Sequence, residues 1–452
     1  MKVGFRESPG VFVPDDLTWQ LIEIETIKLG LTFVDLFSGC GGLSLGFLQE
    51  GYQGLLAIEK NASAFQTYKH NLLSPINTSS HFDWVPNVPV KHFDISELMN
   101  NYSSALKRLR GNVDLLVGGP PCQGFSVNGL RRPKDPRNRL YEKYVEFVQS
   151  VQPSMLLLEN VEGIDQPFIR ANSDLGVEPR STAAYKIRKR LERIGYASTA
   201  LRLNASDYGV PQHRPRFFII GIRGGSEQLL QSSTTREALE DLREAFAQTL
   251  GGRNAERVTV RQAISDLELV GAQLVPSVDT KGFQQLLYRG PKTDFQRSMR
   301  LGMNNSEPPN SLRLPRHNAR TTQKFLTIQE RSQPGYRLNP IVREELAISK
   351  HRIHWIDRDM VSPTITTLPD DFIHYSEPRI LTVRECARIQ SFPDWFEFLG
   401  NYTTGGERRK LDCPRYTQVG NAVPPRMAQF LATFFRELNR QSRLSGPSRV
   451  AA

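Results

Sequence analysis

The stretch Val113–Ser126, with the sequence VDLLVGGPPCQGFS, decides the fold and points to the chemistry of the chain. Its first five residues, Val113 to Val117, predict a strand that is buried on both faces of a parallel sheet. Two glycines then allow the backbone to turn, and two prolines stiffen the exit from that turn. Cys122 therefore lies just beyond the carboxyl end of a predicted strand, where open α/β sheets bind their ligands.

Local sequence leaves two interpretations of Cys122 open. A free cysteine is commonly a small buried hydrophobic residue. Cys122, however, lies in a predicted loop, and the segment Arg131–Arg139 that follows it carries five cations against one carboxylate. Positive charge nearby favours the thiolate, which is the nucleophilic form of cysteine. The stretch thus predicts a cysteine nucleophile beside a polyanion.

Composition limits the class of protein. The 452 residues are enough for a large core and two domains, and the net charge of +11 is typical of proteins that bind phosphate. No apolar run approaches 18 residues, so we predict neither an export signal nor a membrane span. The cysteines lie far apart without a C-x-x-C pair, which argues against a disulfide scaffold and against a thiolate zinc site, and we predict no bound metal. They are Cys40, Cys122, Cys386 and Cys413.

The sequence from Leu31 has the layout of a nucleotide-binding α/β fold. In such folds, glycines let the backbone approach the ligand, and an acid at the end of the second strand accepts hydrogen bonds from ribose hydroxyls. The predicted parts are a strand at Leu31–Phe37, a glycine turn at Ser38–Gly42, a helix from Leu43 to Glu50, and a strand at Gly54–Ile58 that ends on Glu59.

The glycine turn does not match the dinucleotide pattern G-x-G-x-x-G, because Gly39 and Gly41 fit but the third position is Ser44. The turn also lies beside two acids, Asp35 and Glu59, which would serve a pyrophosphate poorly and a cationic sulfonium well. S-adenosylmethionine is therefore favoured over NAD. A strand–turn–helix that binds no ligand stays open as the alternative.

Two further acids follow predicted strands. Asp94 lies in the short predicted strand His92–Ile95, where it could accept from an adenine amino group or cap a helix that starts near Ser96. Glu159 ends the apolar strand Ser154–Val161. Desolvation there favours the protonated carboxyl group, which suits a proton donor, and a helix cap or surface acid is the alternative.

Arg214 and Arg216 flank Pro215 between the predicted strands Tyr196–Leu203 and Arg216–Ile222. A stiff turn would present both guanidinium groups to a phosphate or a carbonyl oxygen, and a solvated basic turn is the alternative. Helices are predicted at Asn61–Leu72, Leu140–Val151, Ser181–Ile194, Arg257–Leu267 and Arg426–Leu438.

The segment from about Gly224 to Gly405 differs in character, because regular periodicity is lost beyond Leu267. Lys281–Lys324 contains nine Lys and Arg residues against two Asp and Glu residues. This pattern predicts a nucleic-acid-binding face, with a solvated or disordered basic insert as the alternative. The aromatic residues interleaved with these cations are Phe283, Tyr288 and Phe295.

These motifs resemble those of the DNA (cytosine-5)-methyltransferases, in the family's order, from about Leu31 to Arg436. The most specific are PPCQ at Pro120–Gln123 and ENV at Glu159–Val161. No catalytic position departs from the family's pattern. The other matching motifs are Phe37–Gly42, Glu59, Asp94, Gln212–Arg216, Arg384–Pro393 and Gln418–Pro424.

The resemblance implies an α/β fold, with a Rossmann-like sheet of the S-adenosylmethionine-dependent methyltransferases and a second, smaller target recognition domain. Residues 1–30 would be an N-terminal extension, and residues 31–225 plus 411–440 a discontinuous catalytic and cofactor-binding domain. Residues 226–410 would form the smaller domain, with the target recognition region at about 268–380. Residues 441–452 would be a disordered tail.

The resemblance also implies the chemistry. The thiolate of Cys122 would add to C6 of a cytosine flipped out of double-stranded DNA, while protonated Glu159 hydrogen-bonds N3 and Arg216 holds the O2 side. Arg214 and Gln212 would order the loop. Methyl transfer from S-adenosylmethionine to C5, loss of the C5 proton and release of Cys122 would complete the cycle.

The implied cofactor site combines the first glycine turn, the acids at the strand ends and a segment near the end of the chain. Its residues are Phe37, Ser38, Gly39, Gly41, Gly42, Glu59, Asp94, Ile95, Pro120, Asn421 and Val423.

For a chain of this size, the resemblance implies a monomer in the cytoplasm of a prokaryotic cell, associated with the nucleoid. Its partner would be a restriction endonuclease that cuts the same site. An inactive DNA-binding scaffold stays open, although the intact Cys122, Glu159 and Arg216 set argues against it. A transfer RNA cytosine-5 methyltransferase also stays open, although the Cys-Phe-Thr tripeptide of such enzymes is absent and the recognition region is long.

Overall fold

The structure is a computed structural model that describes residues 30–74, 82–121, 139–167, 182–225, 239–246, 257–350, 352–403 and 412–444. Cys122 and residues 131–138 of the basic segment lie outside the described residues, as do residues 1–29 and 445–452. The predictions made for them stay predictions.

A six-stranded sheet forms the centre of the fold. Its strands are β1 (Thr32–Leu36), β2 (Gln53–Ile58), β3 (Leu115–Gly118), β4 (Met155–Asn160), β5 (Tyr196–Asn204) and β6 (Pro215–Arg223). They lie in the order β2-β1-β3-β4-β6-β5. The first four are parallel, and β6 is antiparallel to both β4 and β5. The predicted strand before Cys122 is confirmed as β3, between two parallel neighbours.

The register of the parallel strands brings their carboxyl ends to one line. Leu36 pairs with both Ile58 and Gly118, and Gly118 pairs with Leu158. Since parallel strands run in the same direction, the residues that follow these positions all lie at the same edge of the sheet. They are Phe37, Glu59, Gly119 and Glu159.

The first six described α-helices are α1 (Gly42–Gln49), α2 (Ala62–Leu72), α3 (Ile95–Asn101), α4 (Ser103–Leu109), α5 (Leu140–Val151) and α6 (Ala183–Arg193). Four of them, α1, α2, α5 and α6, agree with the predictions, whereas α4 was not predicted and α3 was only an alternative. Asn61 caps α2 as predicted, because its side-chain oxygen accepts from the N–H groups of Ser63 and Ala64.

One predicted strand is wrong. Residues His92 to Asp94 are not a strand, and Ile95 begins α3. Phe93 donates a single backbone hydrogen bond to the carbonyl of Glu59, but the chain then turns into the helix. Asp94 is the N-cap of α3, which is the alternative that the sequence left open.

The remaining described elements are short, apart from α9 and the last helix. The helices are α7 (Val260–Ile264), α8 (Asp294–Met299), α9 (Ala319–Arg331), α10 (Pro340–Glu345), α11 (Val383–Ile389), α12 (Arg415–Asn421) and α13 (Pro425–Leu444), with a further helical segment at 239–246. Two-stranded sheets pair β7 (Leu274–Pro276) with β8 (Gln284–Leu286), and β9 (His354–Trp355) with β10 (Phe372–Ile373).

Two of the three aromatic residues predicted on the basic face are not on the surface. Tyr288 and Phe295 are buried, and only Phe283 is partly exposed. Arg300, one of the nine cations of that segment, is buried as well and pairs with Asp394 at 2.9 Å. The division of the chain into two domains stays a prediction.

Two findings apply only to the part of the chain that the structure describes. None of its helices combines the length and the apolarity that a membrane span requires. No group of three or more His, Cys, Asp or Glu side chains could hold a metal ion there.

The last helix, α13, returns to the first one. Gly46 on α1 has no side chain, and a Cβ there would lie 2.4 Å from the Cβ of Ala428 and 2.6 Å from the carbonyl oxygen of Pro425. The hydroxyl of Tyr52 donates to the carbonyl of Ala432 at 2.8 Å. The C-terminal segment is thereby fixed against the start of the sheet.

We predict that Gly46→Ala destabilises the protein by about 1–3 kcal/mol, because an added methyl group must push α1 and α13 apart. Urea denaturation measures the change. Gln49→Ala on the exposed side of the same helix is the control, with an expected change within about 0.5 kcal/mol. Equal stability of both variants would contradict the close helix contact.

Candidate functional site

A cavity of about 640 Å³ lies at the edge where the parallel strands end. The turns after β1 to β4 form one side of it, and residues around α12 form the other. It brings together most of the residues predicted from the sequence. These are Phe37, Ser38, Gly39, Gly42, Glu59, Asp94, Ile95, Pro120, Glu159, Arg214, Arg216, Asn421 and Val423.

Two predicted site residues do not line this cavity. Gly41 is the N-cap of α1 with a φ of 100°, and a Cβ on it would meet the side chains of Leu72 and Tyr68 instead. Gln212 is fully buried in the protein. Cys122 lies outside the described residues, but its neighbour Pro121 lines the cavity.

Glu59 organises the glycine turn. Its two carboxylate oxygens accept from the N–H of Gly39 at 3.0 Å and from the N–H of Asn61 at 2.7 Å. Burial raises the pKa of Glu59, and these hydrogen bonds work against that rise. Phe37, at the start of the turn, has a φ of 61°, a left-handed conformation that costs a non-glycine residue about 1–3 kcal/mol. Backbone strain is thus concentrated on the wall of the cavity.

Asp94 is confirmed as a helix cap, and it also lines the cavity, while its contact with an adenine amino group stays a prediction. One oxygen accepts from the N–H of Ser96 at 2.9 Å, and the other lies 3.1 Å from Nζ of Lys60. Although partial burial raises it, these two partners hold the pKa of Asp94 below its ordinary value.

Glu159 and Arg216 form an ion pair at a second part of the cavity wall. Nε of Arg216 lies 2.8 Å from Oε1 of Glu159, and both side chains are largely buried. A Cβ on Gly119 would lie 2.8 Å from Oε2 of Glu159, and Asn160 donates to the carbonyl of Pro120 at 3.1 Å. The carboxyl group therefore lies directly against the turn that leads to Cys122.

Arg214 is engaged by the backbone of its own protein. It is 1% exposed, and its guanidinium group donates to the carbonyl oxygens of Ile365, Gly420 and Ala422 at 2.8–3.1 Å. Gln212 accepts from the N–H of Ile365 at 2.9 Å. This is the geometry that a loop-ordering role requires, and the guanidinium of Arg214 is not held toward solvent as a phosphate ligand would be.

The cavity has several hydrogen-bond acceptors that the described residues do not satisfy. The buried oxygens Oδ1 of Asp35, Oγ of Ser38 and Oε1 of Gln418 have no hydrogen-bond partner there. All three residues line the cavity, together with Glu59. A set of acceptors and carboxylates suits a ligand with ammonium and sulfonium groups, so the residues present fit S-adenosylmethionine.

Sequence reasoning missed several residues of the cavity. Asp35 was recognised as an acid beside the glycine turn but was not assigned to the site. Cys40, Val161 and Gln418 lie inside recognised motifs and were not assigned either. Lys60 directly follows Glu59, and this adjacency was a usable signal. Leu140 and Cys413 gave no such signal.

Comparison with known proteins points to one family. The model of the family described as C-5 cytosine-specific DNA methylase matches residues 31–436. The Type II methyltransferase M.DdeI of Desulfomicrobium norvegicum is 33% identical over 428 residues, which cover 90% of this chain and 90% of that protein. The Type II methyltransferase M1.HphI of Haemophilus parahaemolyticus is 30% identical and covers 91% of this chain and 88% of its own length.

A solved structure shows the same fold. It is described as a DNA modification methyltransferase encoded within a prophage of E. coli, and it matches with a TM-score of 0.60 and 24% identity. The match covers 91% of this chain and 100% of that one. The predicted Rossmann-like α/β fold of S-adenosylmethionine-dependent methyltransferases is confirmed.

We predict that Arg214→Lys destabilises the protein by roughly 2–4 kcal/mol, because an ammonium group cannot reach three carbonyl oxygens in the planar arrangement of a guanidinium. Chemical denaturation measures the change. Arg202→Lys is the matched control, since Arg202 forms an exposed ion pair with Asp165 and should change stability by less than about 1 kcal/mol. A small effect of Arg214→Lys would refute the loop-ordering role.

Proposed function

This chain belongs to the C-5 cytosine-specific DNA methylase family and is a DNA cytosine methyltransferase, and we propose that the cavity at the carboxyl ends of β1 to β4 is its active site. The observation that carries the proposal is that one cavity contains both the glycine turn with Glu59 and the Glu159–Arg216 pair. A methyl donor at the first end and a cytosine at the second would lie next to each other.

Each end of the cavity has a chemical task. S-adenosylmethionine supplies the methyl group, and the acceptors around Ser38 and Glu59 bind and orient it. Asp94, next to Ile95 at the N-terminus of α3, lies where an adenine amino group can be bound. Asn421 and Val423 close the cavity from the other side.

The cytosine would be activated by covalent addition. The thiolate of Cys122 adds to C6, which makes C5 nucleophilic enough to accept the methyl group. Glu159 donates a hydrogen bond to N3 and offsets the charge that builds up on the ring, and Arg216 holds the O2 side. After methyl transfer, C5 loses its proton and the bond between Cys122 and C6 breaks.

The target base must leave the duplex, because C5 and C6 cannot be approached by a thiol inside a base stack. Flipping costs a few kcal/mol, which contacts to the phosphate backbone can offset. The net charge of +11 and the basic segment after Cys122 supply cations for those contacts. We therefore propose double-stranded DNA as the substrate.

We also propose that the enzyme protects DNA from a restriction endonuclease that cuts the same site. The support is that the similar curated proteins M.DdeI and M1.HphI are named Type II methyltransferases. Bisulfite sequencing of DNA from cells that express the protein would give the methylated site, and an endonuclease with that specificity should no longer cut the DNA.

We predict that Cys122→Ser abolishes transfer of tritiated methyl groups from S-adenosylmethionine to DNA, because a serine hydroxyl is too weak a nucleophile, while cofactor binding is retained. The wild-type protein should form a covalent complex with a duplex that contains 5-fluorocytosine, since fluorine cannot leave as a proton does. Parallel assays with transfer RNA test the RNA alternative. Absence of transfer to any mixed-sequence DNA would favour an inactive scaffold.

We predict that Glu159→Gln lowers kcat about 10²–10⁴-fold, because an amide cannot supply a proton to the N3 edge. Calorimetry should show an unchanged affinity for S-adenosylmethionine. Glu162→Gln, three positions later and exposed, is the matched control and should leave kcat unchanged. Near-normal turnover of Glu159→Gln would exclude Glu159 from the chemistry.

A further inference from the structure

Asp35 is a buried carboxyl group whose position in the cavity is not explained by its local contacts. It lies on β1 and is 1% exposed. Its Oδ2 accepts from the hydroxyl of Ser44 at 2.6 Å, and Tyr68 donates to that same hydroxyl at 2.9 Å. Its Oδ1 has no hydrogen-bond partner in the described part of the chain. One oxygen of a buried carboxyl group is thus left without a described hydrogen-bond donor beside the cavity, which costs free energy.

The charges around the cavity are unequally paired. Asp94 pairs with Lys60, and Glu159 pairs with Arg216. Among the described residues, neither Asp35 nor Glu59 forms an ion pair with a Lys or Arg side chain. The oxygens of Glu59 accept N–H groups from two different residues, whereas the hydrogen bonds to Asp35 come from Ser44 alone in the described part of the chain. The cavity therefore has a surplus of carboxyl groups, and Asp35 is the less satisfied of the two.

We propose that Asp35 selects the sulfonium methyl donor over its thioether product, because the carboxyl group of Asp35 gives up its proton when a sulfonium binds beside it. This inference rests on the proposed function, since it takes the cavity as the S-adenosylmethionine site. Asp35 acts through its charge from the wall of the cavity, as a specificity-determining residue that does not itself react.

The electrostatics of the site support the loss of a proton from Asp35 when a sulfonium binds. Burial raises the pKa of Asp35 to about 7, the hydrogen bond from Ser44 lowers it, and the charge of Glu59 raises it further. A cation bound nearby favours the ionised form, so the proton leaves Asp35 for the solvent. S-adenosylhomocysteine, the product, has lost the sulfonium charge and offers no such compensation. Asp35 then takes up a proton again, which favours release of the product.

The other titratable groups near Asp35 can be told apart from it. Burial keeps the pKa of Tyr68 on α2 and of Tyr144 on α5 well above the ordinary tyrosine value, so both stay neutral. The thiol of Cys40 in the turn is also buried, with a raised pKa. Glu59, Asp94 and Glu159 are the other carboxyl groups of the described cavity wall, and a variant at Asp35 separates proton release by Asp35 from release by any of them. The cations of that wall are Lys60, Arg214 and Arg216.

Calorimetry on the full-length protein tests the proposal. Titrations with S-adenosylmethionine and with S-adenosylhomocysteine at pH 6, 7 and 8, each in two buffers with different ionisation enthalpies, count the protons released. A group with a pKa of about 7 should release about 0.9, 0.5 and 0.1 protons on binding of the sulfonium, and almost none with the product. The ratio of the two dissociation constants should rise about tenfold from pH 6 to pH 8 in favour of S-adenosylmethionine.

Two variants make the test specific. Asp35→Asn keeps the shape and can still accept from Ser44, and it should abolish both the proton release and the pH dependence of the ratio. Ser44→Ala removes the hydrogen bond that lowers the pKa of Asp35, so the profile of proton release should shift to higher pH. A purely structural role of Asp35 would produce neither change. Should Asp35→Asn fail to fold, the Ser44→Ala shift alone decides.

Thermal unfolding supplies a further readout. Because burial raises the folded-state pKa of Asp35 to about 7, the protonated form of Asp35 is the one that the folded protein tolerates. The stability that protonation provides is lost as the pH rises through about 7. Asp35→Asn should therefore unfold at a higher temperature than the wild type at pH 8 without ligand, and gain less from S-adenosylmethionine.

The outcomes separate this inference from the proposed function. Normal binding of S-adenosylmethionine without proton release, or proton release that persists in Asp35→Asn, would overturn the role of Asp35 and leave the function intact. No binding of S-adenosylmethionine to the wild-type protein would refute both.

Discussion

The buried guanidinium group of Arg214 is the interaction on which the site depends. Its carbonyl partners Ile365, Gly420 and Ala422 lie 151, 206 and 208 positions away in sequence. A charged group that is 1% exposed must be satisfied completely, so these three backbone positions are fixed together with β6. The cavity wall formed by Gly420 and Ala422 thereby has a defined position relative to Arg216, two residues beyond Arg214.

The sheet imposes the second constraint, because its register sets which turns meet. Phe37, Glu59, Gly119 and Glu159 follow directly from paired positions of four parallel strands. Glu159 is held by Arg216 on the antiparallel strand β6, so the change of strand direction brings a cation to the line of acids. If β6 were parallel to β4, Arg216 at its start would lie at the opposite edge of the sheet from Glu159. The end with the Glu159–Arg216 ion pair suits a neutral base, and the end where Asp35 and Glu59 have no cationic partner among the described residues suits a cation.

The sequence was sufficient to predict the strands, the glycine turn and most of the cavity, because these follow from local periodicity and from residues adjacent to strand ends. The sequence was insufficient where the contact of a residue depends on the fold around it. The strand predicted around Asp94 was wrong, since the Ser96 N–H captured that side chain as a helix cap. The sequence did not predict that the missing side chain of Gly41 makes room for Tyr68 and Leu72, and cofactor binding by Gly41 stays a prediction. The carbonyl partners of Arg214 could not be predicted, because any carbonyl in the chain is an equivalent acceptor.

The basic segment Lys281–Lys324 and the residues that pack on it show why a count of cations does not predict a positively charged surface. Arg300 and Arg426 are buried, with their guanidinium groups 4.4 Å and 4.5 Å from the ring centres of Tyr288 and Phe295. Arginine can enter a core in this way because its planar group stacks on an aromatic ring while its edge donates hydrogen bonds. The same interleaved arginines and aromatic rings therefore describe a nucleic-acid face and a cation-stabilised core equally well. Only burial separates the two, and burial depends on the fold of the whole region.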